Sequence, residues 1–140
     1  MKLIDYTGKL NSHQDYSRLL KCLQKKCRYI EYVLVDEEDT AFISAFESLV
    51  ISSGNKNKWY GTKSSRKSPV YRLKAAPEIF ERLKKYETFC KYITGTKNGD
   101  IPETTDFGIN DIAFFDEKEL PLLFTTTHEG YITVRDDLFL

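Results

Sequence analysis

The 140-residue chain predicts a single α+β domain, with a mostly antiparallel sheet that ends in a C-terminal three-strand meander and is covered by about three helices. Three observations point there. Apolar residues recur at helical spacing in the first two thirds of the sequence. Runs rich in β-branched and aromatic residues gather in the last third. Nine Tyr, nine Phe and 41% apolar residues supply a core without disulfide or metal staples.

Residues 2–6 read as a short edge strand. Asn11 and Ser12 are good N-caps, and Ser12 with Asp15 forms a capping box with the shorter acid. Tyr16, Leu19, Leu20, Leu23 and Cys27 then follow at helical spacing, which predicts an amphipathic helix of about four turns. Its other face carries Arg18, Lys21, Lys25 and Lys26. Tyr29 to Val35 reads as a central strand, with Ile30, Tyr32 and Leu34 on one face and Tyr29, Glu31, Val33 and Val35 on the other. Asp36-Glu37-Glu38-Asp39 complements the N-terminus of a following helix, and Asp39 is its expected cap. These four acids lack the glycine of an EF-hand loop.

Phe42, Ala45, Phe46, Leu49 and Val50 mark the second helix, and Ser52-Ser53-Gly54-Asn55 has the chemistry to end it. Asn55 to Ser68 reads as a loop. From Lys56 to Lys74 there are seven basic residues and no acid, with Trp59 and Tyr60 among them. Such a segment suits phosphate and base contacts, an acidic protein partner, or packing against the chain's own acidic third. Val70 to Leu73 is a short strand after Pro69. Pro77 fits position N1 of a third helix, and the spacing of Ile79, Leu83, Tyr86, Cys90 and Ile93 predicts about sixteen helical residues closing at Gly95. Residues 94–108 read as a loop. The meander follows as Ile109–Phe115, Leu122–Thr127 and Tyr131–Val134, turning at Asp116–Glu119 and His128–Gly130. Leu138, Phe139 and Leu140 are expected to dock on the body.

Zero net charge excludes a chain that binds nucleic acid nonspecifically over its whole surface. Residues 1–99 nevertheless hold 19 Lys/Arg against 11 Asp/Glu, and residues 100–140 hold 2 against 10, which is +8 against −8. Three cysteines without framework spacing argue against a disulfide-built secreted domain. The N-terminus lacks a signal-like apolar region and no run is long enough to cross a membrane, so a cytoplasmic location is expected; the oligomeric state is open, with a monomer slightly favoured. No Walker pattern, HExxH or CxxC occurs, so no metal or cofactor is expected. Of the two histidines, His128 beside Glu129 is placed either for proton transfer or for bonding within its own turn.

Trp59-Tyr60-Gly61-Thr62, Tyr71-Arg72-Leu73 before Pro77, Asn110 to Phe115, and Thr127-His128-Glu129-Gly130 together resemble a group of small bacterial proteins. That group carries a WPGT-like motif, a YRL strand, a PEDLxF strand and a terminal HEG turn. Tyr60 stands where the group has Pro, and Ile109-Asn110 stands for its Pro-Glu. Some small α+β proteins of this look are immunity proteins for interbacterial toxins. The resemblance thus implies a protein-binding role rather than an enzyme.

The expected function is an immunity-type protein that occludes the active site of a cognate toxin. Asp106, Asp111, Asp116, Glu117, Glu119 and Glu129 would imitate a phosphate track, Trp59 and Tyr60 would anchor the interface, and Arg66, Lys67 and His128 complete the expected contact set. One alternative is a nucleic-acid module using Lys56, Lys58, Trp59, Lys63, Arg66 and Lys67. Another is a small enzyme centred on His128 and Glu129. Packing of residues 55–68 against residues 106–119 would instead give that basic segment a role within the fold.

Overall fold

A computed structural model describes all 140 residues. The order is β1 (Leu3–Asp5), α1 (His13–Lys26), β2 (Tyr29–Val33), α2 (Ala41–Ala45), β3 (Val50–Trp59), β4 (Thr62–Lys74), α3 (Pro77–Leu83), β5 (Lys91–Thr96), β6 (Gly99–Glu103), β7 (Asp111–Phe115), β8 (Pro121–Thr126) and β9 (Tyr131–Arg135). Seven strands form one antiparallel sheet in the order β1-β9-β8-β7-β2-β4-β3, and β5 and β6 pair as a separate hairpin. The α+β class and the C-terminal meander follow the sequence prediction. No helix is long and apolar enough to cross a membrane.

The sheet has two unlike faces. Ile30, Tyr32, Leu73, Ile112, Phe114, Leu123 and Val134 point to one face, where Tyr16, Leu19, Leu20 and Leu23 of α1 and Ile79, Phe80 and Leu83 of α3 close the core. Ser12 caps α1 as predicted: its hydroxyl accepts from Asp15 N at 3.1 Å and donates to the Asp15 carboxylate at 2.9 Å. Strand β2 is central, flanked by β4 and β7. Its partners place Glu31 and Val33 on the second face, with Asp111, Ala113 and Phe115 of β7 and Arg72 of β4.

Several expectations are corrected. The second helix stops at Ala45, and Thr40, not Asp39, sits at its N-cap without a side-chain bond. The Ser52–Asn55 stretch does not end it, because those residues lie inside β3, opposite Arg72 to Pro69. The basic segment is therefore no loop but the two strands of a long hairpin. The third helix ends at Leu83 rather than near Ile93. There the buried Tyr16 hydroxyl donates to the Leu83 carbonyl at 2.5 Å, and the next bonds, Lys85 N to Arg82 O and Tyr86 N to Leu83 O, tighten the turn. Residues 94–108 are largely the β5–β6 hairpin. Of the C-terminal residues, Leu138 enters the core, Phe139 rests against Tyr6 and Leu140 stays exposed.

Candidate functional site

The β3–β4 hairpin does not continue the plane of the sheet. Between Lys56 and Lys58 two steps of β3 face the five steps of β4 from Ser68 to Lys63. Extra residues in one strand bend that strand and increase its local twist. The bend folds the tip back across the second face, so the hairpin becomes an arch with both ends fixed.

The far end is fixed by the motif residues. Trp59 donates its indole N–H to Asp111 Oδ2 at 2.8 Å, and Thr126 donates its hydroxyl to the Gly61 carbonyl at 3.1 Å. The Tyr60 ring lies 5.4 Å from Phe115 and 5.6 Å from Phe124 between centroids, within the range of favourable aromatic contact. Gly61 is required here, since it holds φ +85° and a Cβ would stand 2.9 Å from Thr126 Oγ1.

Asp111 is the keystone. Its carboxylate is 2% exposed and has no cation within bonding distance. Burial raises its pKa, and the Thr127 N–H on Oδ1 and the Trp59 N–H on Oδ2 act against that shift. Asn110 beside it is fully buried. It accepts from Asp36 N at 2.7 Å and donates to Tyr32 OH at 2.8 Å and to the Asp39 carbonyl at 3.1 Å. Thr127 in turn donates to the Asn110 carbonyl at 2.8 Å. Three of the four segments singled out in the sequence thus meet around this keystone, whereas Tyr71-Arg72-Leu73 lies in β4 opposite β2.

A groove of about 530 Å³ lies under the arch, lined by Glu31, Lys56, Lys58, Trp59, Tyr60 and Gly61. An adjoining hollow of about 200 Å³ shares Glu31 and Lys56 and reaches Ser52, Gly54 and Arg72. Arg72 is the floor. Its guanidinium contacts Glu31 at 3.7 Å and Glu119 at 2.5 Å, and lies 4.4 Å over the Tyr29 ring. Two carboxylates offset this one cation, whereas Lys56, Lys58, Lys63, Arg66 and Lys67 form no ion pair. The walls of the arch are cationic, and the Arg72 cluster at its base carries one more carboxylate than cations.

The expected acidic track is largely engaged within the fold. Asp111 is buried, and Asp116 bonds Arg135 at 2.7 Å. Glu119 meets Arg72, Glu117 lies 3.9 Å from Arg28, and Asp106 accepts from Glu87 N at 2.9 Å. His128 and Glu129 are exposed and stand 3.7 Å apart. They border a hollow of about 270 Å³ with Thr62, Lys63 and Ser64. Arg66 and Lys67 are exposed on the irregular part of β4. The sequence did not single out Arg72 as the floor of a site. Its signal was Glu31, an acid in an otherwise apolar strand, which calls for a partner on a neighbouring strand.

Arg135 joins Asp116 and Asp137 at the opposite end of the sheet, each at 2.7 Å. Burial raises Asp116, but bonds from Arg135 and from the Leu120 and Lys118 amides leave it below 3.8; Asp137 is lowered chiefly by its Arg135 bond. Carboxylates depressed in the folded state contribute stability above their unfolded value, and this is lost as pH falls through the folded value. The unfolding midpoint is therefore expected to drop as pH falls below about 4, and to drop less steeply in Arg135→Met. Parallel slopes for the two proteins in melts across this range would refute the assignment.

Comparison of the chain with protein-family models, curated proteins and solved structures gives no match.

Proposed function

We propose that this chain is a protein-binding domain of the immunity type, which neutralises a cognate toxin by laying the β3–β4 arch over an acidic part of the toxin's surface. The observation that carries the reading is the set of five unpaired cations on an arch pinned at both ends. Unpaired charges on a fixed frame steer association and lose little conformational freedom on docking. Trp59 and Tyr60 are held by Asp111, Phe115 and Phe124, which gives the hairpin tip the role within the fold that packing of residues 55–68 against residues 106–119 implies; the five cations lie outside these contacts and are what a partner would meet. The immunity assignment itself rests on the motif resemblance.

The same anchoring favours a protein over a nucleic acid. The Trp59 indole is half-buried and Tyr60 has one side against two phenylalanines, which leaves the outer side of Tyr60 as the exposed ring surface and no run of free rings for stacking successive bases. The test is affinity capture of the tagged full chain from a lysate of its source after nuclease treatment, followed by binding kinetics with the captured protein. Lys56→Glu with Lys58→Glu is expected to slow association about tenfold at low salt and to change dissociation little. Unchanged association would sink the arch as the binding surface, and recovery of nucleic acid alone would overturn the protein reading.

A further inference from the structure

The arch has one backbone edge that nothing covers. Strand β3 ends the sheet and pairs only with β4. Eight consecutive residues, Ile51 to Lys58, are exposed. The opposite edge, β1, is three residues long, and shortness is a common way to blunt an edge. Strand β3 has ten residues, with a continuous register from Ser52 to Lys56 between its two irregularities.

The direction of its free groups follows from β4. Leu34 N donates to the Pro69 carbonyl, so residue 69 turns its backbone toward the β2 side. In an antiparallel pair, facing residues either exchange hydrogen bonds or both turn away. Asn55 lies opposite Pro69, and Ser53 lies opposite Tyr71, two positions along. The N–H and C=O groups of Ser53 and Asn55 therefore point outward, to the open edge. Those of Ser52, Gly54 and Lys56 turn inward to β4. Gly54 has nothing within 4 Å of where a Cβ would stand, so the concave side is open beside this ladder.

We infer that the free edge of β3 takes an extended, carboxylate-bearing segment of the partner as an eighth strand of the sheet. Main-chain bonds to Ser53 and Asn55 would hold the segment, and alternate side chains would enter the groove beside Lys56, Lys58 and Trp59. Charge selects the occupant. An acidic strand meets two unpaired lysines, whereas β3 of a second copy, Val50–Trp59, holds no carboxylate to offer them. The inference rests on the reading of the arch as a protein-binding surface.

The test uses the full chain and a short peptide alternating glutamate with threonine and valine, with its lysine counterpart as control. At saturating acidic peptide, amide hydrogen exchange at Ser53 and Asn55 is expected to slow about tenfold or more, with no effect from the lysine peptide. Asn55→Pro removes an outward donor and leaves the inward bonds to β4, so it should weaken the peptide about tenfold while the Gly54 and Val70 amides keep their protection. N-methylation of alternate peptide residues makes the same deletion from the other side and does not depend on the variant folding. Absence of acidic-peptide binding, or binding that leaves Ser53 and Asn55 exchange unchanged, overturns strand addition. So does protection of these amides that rises with protein concentration alone, which would place a second copy at the edge. A captured toxin indifferent to Asn55→Pro would remove strand addition and leave the proposed function. Peptide binding without any captured protein would do the reverse.

Discussion

Asn110→Ala is expected to lower the unfolding midpoint by roughly 10 °C, the equivalent of about 3 kcal/mol for a chain of this size. The residue is 0% exposed, and its amide serves three groups: Asp36 N, Tyr32 OH and the Asp39 carbonyl. Alanine strands all three where water has poor access. An unsatisfied buried group costs about 1–3 kcal/mol, so even partial relaxation leaves a large loss. Asn110→Asp separates the contributions. It keeps the acceptor for Asp36 N but sets a carboxylate against the Asp39 carbonyl, and should rescue little. Urea unfolding measures all three proteins. A loss below about 1 kcal/mol for alanine would mean the network is not what ties the 36–40 turn to the sheet.

Gly61→Val carries the second large effect, and it is local. The position needs φ +85°, which costs a β-branched residue about 1–3 kcal/mol. The new Cβ would also stand 2.9 Å from Thr126 Oγ1 and 3.0 Å from the Phe124 ring, and overpacking adds about as much again. Two hydrogen bonds and the Tyr60 contacts hold the tip down. The expected outcome is therefore that the tip lifts while the core stays folded. Trp59 is the single tryptophan, so its emission should shift to longer wavelength and become more accessible to quenchers. Partner binding should fall with it. An unchanged emission spectrum together with a lower melting point would show that the strain spreads into the sheet and that the tip is no separate latch.

What the sequence made legible divides by burial. Helix α1 was readable because Ser12 and Asp15 cap it and its apolar stripe faces a core. The meander was readable because β7 and β8 are dense in buried apolar residues between clear turns. The β3–β4 hairpin was hidden because β3 is solvated on both faces. With no buried side its sequence has no apolar alternation, and Ser52-Ser53-Gly54-Asn55 suits an edge strand as well as a helix end. The overlong third helix has the opposite origin. Phe89 and Cys90 are fully buried, so they extended the apolar stripe past Leu83, although Thr88 and Thr105 hold that stretch by side-chain bonds. At the site, Trp59 and Tyr60 were legible as residues of interest. Their partner Asp111 was assigned to the outer surface, since nothing in one dimension shows that an indole 52 positions away takes up its charge.

The position of β2 at the middle of the sheet also sets an order of persistence among its pairings. Tyr32 must find Ile112 across a separation of 80 residues and Tyr71 across 39. Doubling a closure loop costs only about 0.6 kcal/mol, so chain entropy barely separates the two pairings. Burial does: every residue of β7 is buried, and much of β4 is not. The β2–β7 pairing thus belongs to the most persistent cooperative unit, while the arch belongs to a unit of lower opening free energy. The surface proposed for recognition is thus held by its own tip contacts rather than by the core, and a partner bound there would reinforce them without changing how the core is made.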